Sequence, residues 1–202
     1  QAEMRILKPL STPGKIQDFL DSMPINYEKE GDTVRSPRET LRVGRAHCIE
    51  GALVAALALW IHGEEPLLMD LKTKPSDDDH VVALFKRNGY YGAISKTNHA
   101  VLRYRDPLYR TPRELALSYF HEYFLVKDGR KTLVSYSKPF RLRTCGTDWI
   151  TQKDHVWEIA TALDISPHYA LVPKRNQRLL RNATQGEREA ASHPEWSRDH
   201  PL

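Results

Sequence analysis

The segment from Cys48 to Ile61 constrains the fold more than any other part of the chain. Ile49, Ala52, Leu53, Ala56, Leu57 and Trp60 recur at helical spacing, and Val54, Ala55, Ala58, Leu59 and Ile61 fill most of the remaining circumference. A helix that is apolar nearly all round must be enclosed by other elements. Its alanines keep it thin, so a sheet can approach closely. The longest apolar run, Ala52 to Ile61, is far short of the roughly 20 residues needed to span a bilayer. The helix therefore belongs inside a globular domain, and His62-Gly63 reads as its stop.

The segments that follow read as the enclosing sheet. Pro66 to Leu71 is a candidate strand, and Lys72 to Asp79 is a polar loop carrying Asp77, Asp78 and Asp79 in succession. His80 then opens an apolar strand, Asn88-Gly89 signals a two-residue hairpin turn, and Tyr90 to Asn98 runs back. Pairing across that turn sets His80 opposite Thr97, with Ser95 and Asn98 close by. Elsewhere, Met4 to Leu10 reads as an edge strand and Lys15 to Met23 as a helix. Ser36-Pro37-Arg38-Glu39 opens a short helix that Val43-Gly44 ends. Val101 to Tyr104 and Lys131 to Tyr136 read as strands. Thr111-Pro112-Arg113-Glu114 opens a helix bearing Leu115, Tyr119, His121, Glu122 and Phe124. Trp157, Ile159, Ala160 and Leu163 mark a late helix, Gln177 to Ala191 a surface helix, and His193 to Leu202 a frayed end.

A chain of 202 residues with 40% hydrophobic content suits one domain with a real core. The expected division is a single domain over 1–173, its core at about 36–125, and a polar, basic extension over 174–202. The net charge of +4 collects in Arg141 to Arg143 and Lys174 to Arg181. A solvated basic tail accounts for it better than a nucleic-acid interface. With no secretory pattern and no membrane span, a cytoplasmic protein without a membrane partner is expected. In that setting Cys48 and Cys145 are free thiols, and two cysteines are too few for a Cys-pair zinc motif.

Chemistry concentrates at Cys48 and His80. A helix N-terminus stabilises a thiolate, and its unpaired N–H groups can hold an oxyanion. Arg45 adds positive charge nearby. A histidine at the mouth of the hairpin is placed to serve as base, with a polar group on the return strand fixing its tautomer. His47 reads as a hinge or surface residue, because neighbours at a helix start point apart. A metal held by Cys48, His80, His99 and a carboxylate from 77–79 matches no closed zinc pattern. Arg103, Arg105 and Arg110, interleaved with Tyr104 and Tyr109, read as the basic outer face of a strand. Trp149 and Trp157 read as core or cover, and Cys145 as an idle thiol.

Gly44-Arg45-Ala46-His47-Cys48 leading into an alanine-rich helix, then a His-initiated strand, a turn and an aromatic-bearing return strand, resembles the transglutaminase-like superfamily. The resemblance covers about Arg42 to Asn98. It implies an α+β fold with a papain-like core: an antiparallel sheet packed on a central Cys-bearing helix, with extra C-terminal helices. It also implies a Cys-His-Asp triad in which Cys48 is the nucleophile and His80 the acid and base. Ser95 stands where the family's aspartate belongs. Ser95 or Asn98 is then the orienting group, with Asp106 or Asp79 as acids that could replace it. The implied reaction is acyl transfer or amide hydrolysis through a Cys48 thioester, without a cofactor. Its substrate is a peptide or protein amide, and its acceptor water or an amine. The alternative is a binding module that keeps the fold but has lost the acid.

Overall fold

The structure, a computed structural model, describes residues 2–29 and 31–196. Helices come first: α1 (Ala2–Leu7), α2 (Pro13–Asp21), α3 (Pro37–Val43) and α4 (Cys48–Ile61). Their boundaries follow from side chains that satisfy the first N–H groups. The Thr12 hydroxyl accepts from the N–H of Lys15, and that of Ser36 from Glu39, with proline at the first position each time. Gly44 ends α3 at φ +72°, a left-handed conformation that favours glycine. Met4 to Leu10 is not an edge strand: its first half is α1. Leu7 is buried while Met4 and Ile6 stay exposed, so one inward residue per turn replaces the expected alternation. Glu3, ion-paired with Arg38, ties α1 to α3.

The sheet is antiparallel throughout its pairings. Its strands are β1 (Leu67–Thr73), β2 (His80–Arg87), β3 (Tyr90–Ile94) and β4 (Arg105–Tyr109); then, after helix α5 (Pro112–Phe120), β5 (Leu133–Ser137) and the short β6 (Phe140–Arg141). Helix α6 (Trp157–Asp164), strand β7 (His168–Ala170) and helix α7 (Gln185–Ala191) complete the chain. The order is β4-β3-β2-β1-β5-β7, with β6 pairing the far end of β1. Asn88 and Gly89 turn β2 into β3 with φ of +52° and +85°, as a twist-matched hairpin requires.

Successive side chains of β2 point to opposite faces. Val81, Ala83 and Phe85 join Leu53, Ala56 and Leu57 of α4 in one core. Val82 and Leu84 join Leu115 and Tyr119 of α5 in the other. Helix α4 is thus buried between sheet and outer helices, as its all-round apolar surface demands. The fold is α+β. Among the described residues no helix is long and apolar enough to cross a membrane.

Other expectations change in detail. Val101 to Tyr104 is irregular, with Leu102 at φ +62°, and the strand starts at Arg105. Helix α5 stops at Phe120, so His121 caps it and Glu122 and Phe124 lie beyond it. The 177–191 stretch is a 3-10 turn over Lys174–Leu179 and then α7, not one helix. Ala183 and Ala191 pack on Phe124, which fastens part of the basic extension to the body. Pro194 bridges to His99, so the expected fraying does not extend over 193–196; residues 197–202 lie outside the described residues. Arg103 and Arg105 are engaged internally, with Glu195 and with Glu122. Trp149 is core, Trp157 is half exposed, and both thiols are free.

Candidate active site

Cys48 is the first residue of α4. The N–H groups of that first turn have no carbonyl partner within the helix, so they gather partial positive charge beside the thiol. The helix start is braced from a loop. Glu50, fully buried, accepts from Thr33 Oγ1 at 2.8 Å, the Arg35 N–H at 3.1 Å and Asn26 Nδ2 at 3.2 Å. Its other contacts are the Arg35 guanidinium and the His47 N–H, each at 3.2 Å. Backbone bonds from Ala46 to Pro24 and from Asn26 to Ala46 close the brace.

Two imidazoles address the thiol. His80 is buried at the first position of β2, paired with Leu71 of β1. Hairpin pairing ends at Ala83 and Ile94, so His80 does not face Thr97 across a ladder. Its Nε2 instead meets Ser95 Oγ at 2.7 Å. The Ser95 hydroxyl donates its one proton to the Leu102 carbonyl at 2.5 Å, so it must accept from His80 Nε2–H. Nδ1 is then the nitrogen left for Cys48, taking the thiol proton and, once protonated, donating to the thiolate. Ser95 is itself gripped from α2. The Gln17 side chain donates to the Ser95 carbonyl at 2.8 Å and accepts from its N–H at 2.9 Å.

The second imidazole is His47, expected from the sequence to be a hinge or surface residue. As the residue before the helix it has extended backbone, φ −102° and ψ −169°, and its ring turns back to place Nδ1 4.0 Å from the Cys48 sulfur. Its Nε2 lies 2.7 Å from the Thr33 carbonyl, 3.4 Å from Glu28 and 3.7 Å from Glu50. Burial pushes the Cys48 thiol up, but hydrogen bonds from His47 and His80 and their charge outweigh it and hold the thiol at about 5. Burial works against charge on His47 too. The neighbouring thiolate, with Glu50 and Glu28, outweighs it and raises the imidazole to about 9. A thiolate–imidazolium pair therefore spans neutral pH.

The remaining residues from the sequence reading fall outside the relay. Asn98 lines the same cavity but spends its amide on Tyr27 and on the Trp196 backbone, so it does not orient His80. Asp79 accepts from the N–H and hydroxyl of Thr73, and Asp106 sits on β4. Neither supplies an acid to His80. Tyr123 closes the cavity near Cys48; its phenol, driven upward by burial, stays protonated and donates to the Asp78 carbonyl. Asp70, Asp79 and Asp164 bring carboxylate oxygens within 4.8 Å of one another, but Asp70 bonds His168 and Asp164 pairs with Lys72. Cys48 and His80 do not belong to that cluster. Cys48, His47, His80 and Tyr123 open on one cavity of about 880 Å³, ample for a peptide-sized group.

No known protein-family model matches the chain, and no curated protein matches its sequence.

Proposed function

We propose that the protein is a thiol-dependent acyl-transfer or amide-hydrolysing enzyme with a papain-like, transglutaminase-like core. The observation that carries this reading is the thiol of Cys48 at a helix N-terminus with imidazoles of both His47 and His80 upon it, one of them held in a fixed tautomer by Ser95. The Cys48 thiol passes its proton to Nδ1 of His80, the thiolate attacks an amide carbonyl, and a carbon–sulfur bond forms. The oxyanion is received by the first-turn N–H groups of α4. Collapse breaks the carbon–nitrogen bond, and the amine leaves with the proton that His80 supplies. His80 then takes a proton from water or from an acceptor amine, which attacks the thioester and regenerates the thiolate. No step calls on a cofactor. The two unlinked cysteines are in keeping with a reducing, cytoplasmic setting.

The orienting residue differs from the superfamily's acid. Serine carries no charge, so His80 is positioned by Ser95 and the Leu102 carbonyl but is not electrostatically supported by them. The same substitution is what favours the second reading, a fold kept for peptide binding after catalysis was lost. Trapping separates the two. On incubation with p-nitrophenyl acetate, intact mass spectrometry should find one acetyl group on Cys48, released with time, and none in Cys48→Ala. A chain that stays unacetylated at Cys48, or is acetylated equally at Cys145, favours the binding module.

A further inference from the structure

The cavity over Cys48 carries a charge opposite to that of the whole chain. The chain has a net charge of +4, yet seven carboxylates line the cavity. Glu28 and Asp32 come from the loop after α2, the run 77–79 from the loop before β2, Asp70 from β1 and Asp164 from the end of α6. Among the described residues Lys96 is the lysine or arginine in that lining, and its ammonium is spent on the carbonyls of Leu20, at 2.8 Å, and Met23. Asp32 and Asp78 make no ion pair among the described residues. Glu28 faces His47, Asp70 bonds His168 and Asp164 pairs with Lys72, so the charge left to set the field in the opening is that of Asp32 and the run 77–79.

A further observation points to what enters. Trp157 lines the cavity and is 48% exposed, stacked on His155 with ring centroids 5.8 Å apart. It stands two helical turns before Asp164 on α6, whose carboxylate is already paired with Lys72, so the open aromatic face is what that helix offers an organic cation. The chain's own backbone already occupies the Asn98 side of the rim. The Asn98 amide accepts from the Trp196 N–H at 2.7 Å and donates to its carbonyl at 3.1 Å, and the Glu195 N–H donates to the Asn98 carbonyl at 2.9 Å.

We infer that the acyl donor is a peptide segment bearing lysine or arginine side chains, its charges taken by the acidic lining. This rests on the thiol-enzyme reading for the chemistry, in which the basic side chains are held and not altered. The test uses the full chain and three methanethiosulfonates: the trimethylammonioethyl cation, the neutral methyl reagent and the sulfonatoethyl anion. Modification of Cys48 is followed by mass spectrometry, and each rate is divided by that at Cys145 in the same molecule. At low salt the cation should outpace the anion at Cys48 by about tenfold or more, and the ratio should fall toward one in high salt. Asp32→Asn with Asp78→Asn should shrink the ratio toward one. A lysine-containing tetrapeptide amide should protect Cys48 from the neutral reagent, and its glutamate counterpart should not. A ratio at or below one, or equal protection by the two peptides, overturns the inference. Because the ratio is normalised, it is readable even from a sluggish thiol, so loss of charge preference and loss of thiol activation are separate results.

Discussion

Ser95 sets the geometry of the site more than its modest chemistry suggests. Its hydroxyl joins the His80 ring to the Leu102 carbonyl, and its backbone is held by Gln17. Ser95→Ala leaves a buried N–H and a buried carbonyl without partners, at a cost of roughly 1–3 kcal/mol of stability. It also frees the imidazole to rotate. Turnover should fall, by up to about a hundredfold, with KM little changed, in steady-state assays of the variant. Cys48 and His80 were legible in the sequence because each is marked locally, one by a helix start and one by a hairpin mouth. Ser95 was legible as a position on the return strand. Its partner was not, because the Leu102 carbonyl reaches it only through a left-handed backbone at a non-glycine residue. His47 was missed for a related reason. Adjacent residues within a helix diverge, but His47 is extended and its ring is free to swing toward its neighbour.

At the scale of elements, the site is assembled where α4 meets the end of β3. Gly51 is the point of closest approach: a Cβ there would lie 2.5 Å from the Lys96 Cβ, one residue beyond Ser95. Gly51→Ala should therefore cost about 1–3 kcal/mol in denaturant titrations and slow Cys48 alkylation, because the helix must withdraw from the segment that orients His80. The elements themselves were largely readable. Capping residues placed α2, α3 and α5, all-round apolarity placed α4, and Asn88-Gly89 fixed the register of β2 and β3. The errors fell on short pieces such as α1 and the 101–104 segment, where too few turns exist for periodicity to separate helix from strand. The brace from Glu50 to the 26–35 loop was not readable at all, since long-range satisfaction of a buried carboxylate leaves no local pattern.

For the whole molecule, the paired charges at the site make stability depend on pH in a defined way. Cys48 is depressed in the fold, so its contribution is present above the ordinary thiol value of 9.0 and lost as pH falls to about 5. His47 is raised, so its contribution is present below 6.5 and lost as pH rises through about 9. The two slopes oppose each other between 6.5 and 9, which leaves a net gain on going from about pH 5 to 6.5. Melting curves should show the stability of the native chain relative to Cys48→Ser rising across that lower window and then levelling. A flat difference would mean that no such pair forms. The central claim, a thiol activated by two imidazoles, is tested most directly by the pH dependence of carboxamidomethylation at Cys48 and Cys145, read by peptide mass spectrometry. Cys48 should react faster than Cys145 at neutral pH, with a midpoint near pH 5. That midpoint should move upward in His47→Gln and in His80→Ala. Equal, slow reaction of both thiols, rising only toward the ordinary thiol range and unchanged in the two variants, would contradict the account.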